Sequence, residues 1–427
     1  QADEFFRIDR GIREPSLSWD CSEFSADSAA QLSIADACCQ THSTLPLFPE
    51  LDCAPTSTIS YSLASSVQQT ADIIVSLFGR FDPSEWKSRH GPGAVSDLRR
   101  GADKYQFPSW SDKLDAVFPL ADYGFHNYAS WAAHVNSQDR WVTHVNHESP
   151  SKLIAVPKTL KAPRLIASEP TSHLWCQQSV LRSLSMAVRR TLLGSCVDFF
   201  NQEPSRALAL SASHCMSHAT LDLSSASDRL SCWTIERLFR RNPTLLTALW
   251  AVRTRYIRND VDRRLHRFHK LRKFTTMGSA VTFPIQTIAF AIISLGVLLH
   301  VRGLRANIRN LRSLSKEVRV FGDDIIVPID CWESVRDTLS FLGLEVNTKK
   351  TFGTGKFRES CGIDAYDGHD VTKVNIKDFP EISRPGSIAS AVDTHNNLYS
   401  RGYYCAAAYV RSTVHQRASF LRIPDVA

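Results

Sequence analysis

Three carboxylates stand where carboxylates are costly. Asp222 lies in TLDLS, and Asp323 and Asp324 lie in VFGDDIIV, each among apolar residues of strand type. A charged pair between Phe321 and Ile325 is unfavourable unless something compensates it. Adjacent aspartates also repel each other. A divalent cation answers both problems. Magnesium takes a few carboxylates together with phosphate oxygens and water. Two such ions, about 3.5 to 4 Å apart, activate a 3′-hydroxyl and stabilise a leaving pyrophosphate. Alone, the GDD triplet is an ordinary Asp-rich turn. Its place between two apolar runs, and its coexistence with the Asp222 segment, argue for more. Gly322 permits a turn that a bulky residue would strain.

Other charges fall near this trio. Asp228 comes six residues after Asp222, in DLSSASD. If Asp222 ends a strand and Asp228 begins a helix, both line one cleft, and Asp228 can accept a hydrogen bond from a ribose 2′-hydroxyl. The plainer alternative is that Asp228 complements a helix N-terminus. Lys158, Lys161 and Arg164 recur at spacing three on a segment braced by Pro157 and Pro163. Such a set suits a triphosphate, with arginine as a planar fork and lysine as a point charge. A solvated basic loop is the competing explanation.

The elements that must position these groups follow from patterning. LIAVPK and the stretch after KTLKAPR read as strands, residues 174–193 as a helix and Ala219–Leu223 as a short strand. SASDRLSCWTIERLF runs into a helix, with Ser224, Ser225 and Ser227 as N-cap candidates. VRVFGDDIIVP reads as a hairpin around a Gly-Asp turn, and ESVRDTLSFLGLEV as a helix running into a strand. That order predicts an α+β fold, an antiparallel sheet with helices on one face. Residues 61–81 read as a further helix. FPIQTIAFAIISLGVLLHV approaches membrane-spanning length, but Pro284, Gln286, Thr287, Ser294 and His300 make a buried core helix the better expectation.

With 427 residues, 22% charged and 43% hydrophobic, the chain can build two or three domains or one multi-lobed enzyme, and disorder is excluded. A net charge of +7 and a pI near 8.8 are compatible with a polyanionic partner. The 11 cysteines form no CxxC pair, which points to reduced thiols. The opening QADEFFRIDR has acidic residues and no apolar run, so no signal peptide is expected within it, and without an initiator Met residue 1 need not be the natural start. His144 and His147 are better read as structural than as metal ligands. Residues 253–273 carry nine Lys or Arg with Tyr256 and Phe268 interleaved, a pattern suited to template phosphates. Arg302, Arg305, Arg309, Arg312, Lys316 and Arg319 alternate at spacings of three and four, which predicts one basic helix face, either solvated or tracking an RNA backbone.

HGPGAV, VPKTLKAPRLIASEP, LDLSSASDRLS, TTMGSAVTFPIQ, VRVFGDDIIVP and NTKKTFGTGKFRESCGIDAYDGHDVTKV, in that order, resemble the replicase of positive-strand RNA bacteriophages, the levivirus group. The resemblance runs from about residue 90 to residue 376. It implies a right-handed polymerase fold: N-terminal region and fingers over 1–215, palm over 216–240, a fingers insertion over 241–275, palm over 276–380 and thumb over 381–427. Family members usually carry more chain after the GDD motif than follows Asp324 here. It implies metal binding by Asp222, Leu223, Asp323 and Asp324, with two Mg²⁺ ions for which Mn²⁺ can substitute. It implies ribose reading by Asp228, and a loop for template and nucleotide at Gly278, Ser279 and Thr282. Gln286 stands where many viral polymerases have Asn. Lys158, Lys161 and Arg164 match the motif that holds the triphosphate. Lys349 and Lys350 are both candidates for the acid that protonates pyrophosphate. The implied activity is RNA synthesis on an RNA template from ribonucleoside triphosphates. Template and nascent RNA are implied partners, along with bacterial elongation factors Tu and Ts and a ribosomal protein, in the cytoplasm of an infected bacterium and with no membrane. A reverse transcriptase-like polymerase and a non-catalytic RNA-binding protein are the alternatives. The first lacks its expected aromatic residue near Asp222, and the second leaves the buried carboxylates unexplained.

Overall fold

The computed structural model describes residues 2–12, 61–91, 93–98, 101–105, 107–125, 127–136, 143–145, 147–157, 163–374, 376, 381 and 383–417. Lys158 and Lys161 lie outside them. The chain divides into two compact units, Gln1–Val156 with Arg164–His369, and Pro157–Pro163 with Asp370–Ala427.

The first unit is organised around the apolar helix Thr282–Val301. Nearly all of it is buried in the protein, 94% of its most apolar window, so it is the core helix that its polar residues foretold. Its neighbours are the helix Tyr61–Ser76, which contributes Val67, Ala71 and Ile74, and the helix Trp332–Phe341, which contributes Val335 and Leu339. Each such apolar side chain, fully buried, contributes about 1.5–3 kcal/mol relative to exposure.

Beside this helix lies a three-stranded antiparallel sheet, ordered His218–Leu221, Asp324–Pro328, Arg319–Phe321. Ile325, Ile326 and Val327 in its central strand are buried. The sheet and its helices bear out the expected α+β class. A second, four-stranded sheet runs Pro163–Ser168, Ser151–Pro157, Tyr256–Asn259, Phe268–Lys270. The short helix Ala2–Gly11 adds Phe5 and Phe6 to a smaller core with Leu153, Ile257 and Leu271.

Two local expectations are corrected. The segment after Asp222 does run into a helix, but none of the three expected serines caps it. A single turn, Ala226–Arg229, follows Ser225 in a left-handed conformation (φ 52°) with no side-chain cap. The true cap is Ser231, whose hydroxyl accepts from Thr234 N–H and starts the helix Cys232–Phe239. The basic stripe is not one helix face either. Gly303 (φ +61°) follows the end of the core helix, Asn307 caps a helix of only Ile308–Leu314, and Arg319 stands on a strand. Arg302, the first of the stripe, is engaged by Glu317 and Asp330.

The second unit pairs the helices Pro385–Ser400 and Tyr404–Arg417 over Ile388, Ala391 and Val414.

Candidate active site

Strand register brings the carboxylates together. Ile325 pairs with Leu221, and Asp222 and Asp324 follow that last pair at the same end of the two strands, close enough for the Asp222 charge to act on Asp324. On the other side Asp324 pairs with Phe321, closing a two-residue turn of Gly322 and Asp323. Gly322 has φ +64°, and a Cβ there would lie 2.9 Å from the Phe283 ring. Both conformation and space therefore require glycine. The turn is tied to the core helix: Gly322 N–H donates to Thr287 Oγ1 at 3.0 Å, and Thr287 donates to Phe283 O at 2.7 Å.

The electrostatics follow from that geometry. Burial, then the negative charges of Asp323 and Asp222, push the Asp324 carboxyl up to about 7. Burial also raises Asp222, opposed by Lys350 and by a hydrogen bond from Asn347 Nδ2 to Oδ2 at 3.0 Å. Asp323 is exposed at the turn. Three mutually repelling carboxylates at one end of a sheet, two of them half-buried, favour a cation. Leu223 is buried and pairs with Val346. Among the described residues no three His, Cys, Asp or Glu side chains are arranged to hold one ion together.

The structure separates the two lysines. Lys350 donates to Glu359 at 2.8 Å, and that pairing, with Asp222 and Asp324 nearby, raises its pKa. Both lysines are exposed, and what Lys349 contributes is its backbone N–H, which donates to Asn347 Oδ1 at 3.2 Å.

Asp228 does stand on a helical turn after the strand. Its Oδ1 accepts from Lys273 Nζ at 2.9 Å. The Met277–Ser279 loop meets the strand that carries Arg164. Ala167 N–H donates to Met277 O at 2.6 Å, and a Cβ on Gly278 (φ +126°) would fall 2.0 Å from Ala167 O. Arg164 itself is exposed. Thr282 Oγ1 donates to Thr276 O, and Ala280 N–H donates to Gln177 Oε1. Gln286 is buried beside Gly322, with Oε1 lacking a protein partner. Glu169 lies wholly buried behind the loop. It accepts from Gln177 Nε2 at 3.1 Å, from Thr254, and from Thr276 at 3.5 Å.

Four residues here escaped the sequence reading: Thr287, Asn347, Lys273 and Glu169. Thr287 had a signal, a hydroxyl in an apolar helix. Lys273 was hidden among nine cations. Many of those cations are neutralised locally: Arg255 by Glu148, Arg258 by Asp260 and Arg264 by Asp262.

The family described as "RNA replicase, beta-chain" matches residues 13–385. The RNA-directed RNA polymerase beta chain of Enterobacteria phage GA is 30% identical over 323 residues, 74% of this chain and 56% of that one. The beta chain of Enterobacteria phage fr is 33% identical over 225 residues, 53% of this chain and 37% of the relative. The RNA-directed RNA polymerase subunit beta of Qbeta virus (strain MX1) is 34% identical over 228 residues, covering 53% and 35%. The chain thus spans about half the length of the first relative and about a third of the other two. Among solved structures, the RNA-dependent RNA polymerase of a human picorbirnavirus aligns with TM-score 0.42 and 13% identity, over 62% of this chain and 55% of that one.

Proposed function

The chain belongs to the RNA replicase beta-chain family, and from that premise we propose that it carries the catalytic centre of an RNA-directed RNA polymerase. The observation that carries this is the strand pairing that leaves Asp222 and Asp324 at one end of the sheet beside the Gly322–Asp323 turn.

In this reading the fold is a right-handed polymerase, with fingers, palm and thumb divided as the family resemblance implies. Asp222, Asp323 and Asp324, with the Leu223 carbonyl, would hold two Mg²⁺ ions, or Mn²⁺ in their place. Those ions, when bound, activate the attacking 3′-hydroxyl and stabilise the leaving pyrophosphate. The chain's own residues do the rest. Asn347 orients the Asp222 carboxylate. Arg164, with Lys158 and Lys161, binds the triphosphate. Asp228 accepts a hydrogen bond from the ribose 2′-hydroxyl. Gly278 and Ser279 shape the floor under template and nucleotide, Thr282 fixes the start of the core helix, and Gln286, with Ser279, is a further candidate for selecting the 2′-hydroxyl. Lys350 gives a proton to the departing pyrophosphate, a choice supported by its hydrogen bond to Glu359 and by the nearby charges of Asp222 and Asp324. Catalysis is then mostly positioning and charge neutralisation.

The substrates are ribonucleoside triphosphates and the partners template and nascent RNA. The "beta" in the relatives' names fits a multi-subunit enzyme; elongation factors Tu and Ts and a ribosomal protein are the proposed companions, in the cytoplasm of an infected bacterium. The test is incorporation of labelled ribonucleotides on an RNA template with Mg²⁺, comparing the assembled replicase with its Asp323→Ala variant. Activity that is lost in the variant and absent with deoxynucleotides supports the proposal. A preference for deoxynucleotides would instead identify a reverse transcriptase.

A further inference from the structure

Lys273 is a buried cation with an unusual set of neighbours. Its side chain is 0% exposed and that of its partner Asp228 is 15% exposed. The carboxylate therefore reaches solvent and the ammonium does not. Nζ donates to Asp228 Oδ1 at 2.9 Å and lies 3.2 Å from the centroid of the Phe5 ring. The backbone of Lys273 is pinned as well. Asp9, fully buried, accepts from the N–H groups of Arg272 and Lys273, each at 3.0 Å, and from His269 Nε2 at 2.7 Å. Phe274 N–H donates to Leu230 O at 2.8 Å, and Thr275 Oγ1 donates to Ser227 O at 2.6 Å. The helix Ala2–Gly11 thus holds Lys273 from behind, through Asp9 and Phe5, while Lys273 holds Asp228 in front.

Stability alone does not explain this pair. Desolvating two charges cancels most of their attraction, and buried pairs are often replaced by apolar residues without loss. What such a pair supplies is a fixed carboxylate. An aspartate with one oxygen committed to a rigid ammonium has a single orientation in which to accept a hydrogen bond. We propose that Lys273, braced by Phe5 and Asp9 of the N-terminal helix, is a positioning residue that orients Asp228 and so sets the preference for ribonucleotides over deoxyribonucleotides. This rests on the assignment of Asp228 to the ribose.

The experiment measures kcat/KM for a ribonucleotide and its deoxy counterpart in the assembled replicase carrying Lys273→Met, Asp228→Asn, or both. Met keeps the length and apolar stem of the lysine. The expected result is that each single change lowers the ribo/deoxy ratio about tenfold, mostly through a higher ribonucleotide KM, and that the double variant loses no more than either alone. A lowered ratio in Asp228→Asn with an unchanged ratio in Lys273→Met, or independent losses that multiply in the double variant, overturns the role of Lys273 and leaves Asp228 as the ribose reader. An unchanged ratio in Asp228→Asn overturns the assignment of Asp228, and this proposal with it. Lys273→Met leaves a carboxylate without its cation and could fail to fold. Asp9→Asn then tests the brace from behind: the expected ratio falls while Asp228 and Lys273 remain paired, and an unchanged ratio overturns the proposal.

Discussion

Thr287 Oγ1 accepts the backbone N–H of Gly322 at 3.0 Å, so the turn bearing Asp323 hangs from the central core helix. That N–H is buried and its strand neighbours cannot reach it. Thr287→Val preserves shape and branching but leaves the donor without an acceptor, a cost of about 1–3 kcal/mol. The turn is the least supported part of the hairpin and yields first. The expected outcome is a fall in kcat of about tenfold or more, with nucleotide KM little changed and with Thr287→Ser close to the parent. Single-turnover incorporation measures it. A valine variant with parental kcat would show that the turn does not depend on this bond.

Gly278 sits where both its φ of +126° and the nearness of Ala167 O forbid a side chain. Gly278→Ala must push the loop away from the strand that carries Arg164. Activity should fall by about two orders of magnitude, since a displacement of about 1 Å at a positioning residue costs on that scale. Gly303 is the control. It also has positive φ (+61°), but nothing lies within 4 Å of its would-be Cβ. Gly303→Ala should cost only the backbone term, about 1–2 kcal/mol of stability, and leave the specific activity of the folded protein unchanged. Thermal melts and incorporation rates on the two variants decide it. Equal losses of activity would mean that the contact with Ala167 is irrelevant.

How much of this could be read from the chain alone depends on distance along it. The hairpin was legible because Gly322, its turn and both strands lie within eleven residues, and because strand alternation and turn chemistry are local. The core helix was legible from its apolar run. Asp222 and Asp324 could be named, but their register could not, since a shift of one residue would turn either to the other face. The stripe from Arg302 to Arg319 failed because helical spacing says nothing about where a helix stops. Gly303 and Asn307 stop and restart the chain inside it. Lys273, Asn347 and Glu169 were invisible for a different reason. Each acts through a partner more than forty residues away, and no local pattern encodes such a pair.

Glu169 gives the clearest pH dependence. Burial is the largest influence on it and pushes its carboxyl from 4.5 up to about 7. Its folded pKa is raised, so its stabilising contribution is fully present below pH 4.5 and is lost as pH rises through about 7. The displacement corresponds to about 3 kcal/mol. Glu148 has the opposite sign. Burial opposes its ionisation, but Lys113, Arg255 and His173 outweigh that and hold it at about 2, so its contribution is lost only as pH falls below 4.5. The two windows do not overlap. Glu169→Gln mimics the protonated form and keeps an acceptor for Gln177 and Thr254. Urea unfolding between pH 5 and pH 8 should show the parent losing up to about 3 kcal/mol relative to the variant. Parallel pH profiles would rule out titration of Glu169 in this range.

Lys349 and Lys350 are adjacent and chemically identical, yet the structure treats them differently. The Lys350 ammonium is drawn to Glu359 at 2.8 Å and feels Asp222 and Asp324, which raises its pKa and keeps it protonated at neutral pH. A proton donor to pyrophosphate must be charged before the chemical step and must lie near the proposed catalytic carboxylates. Lys350 meets both conditions. Lys350→Met should lower kcat by about 10²-fold, the lower end of the range for a lost general acid, and should diminish the solvent deuterium isotope effect on single-turnover incorporation. Lys349→Met should stay within about threefold of the parent, since only its backbone N–H is used near the site, at Asn347. Arginine at 350 should hold charge without giving up its proton, and so should behave like Met in kcat while keeping nucleotide KM near the parent value. If Lys349→Met carries the large loss and the isotope effect follows it, the proton comes from the neighbouring residue, and the Lys350–Glu359 pair serves only to close the loop beside Asp222.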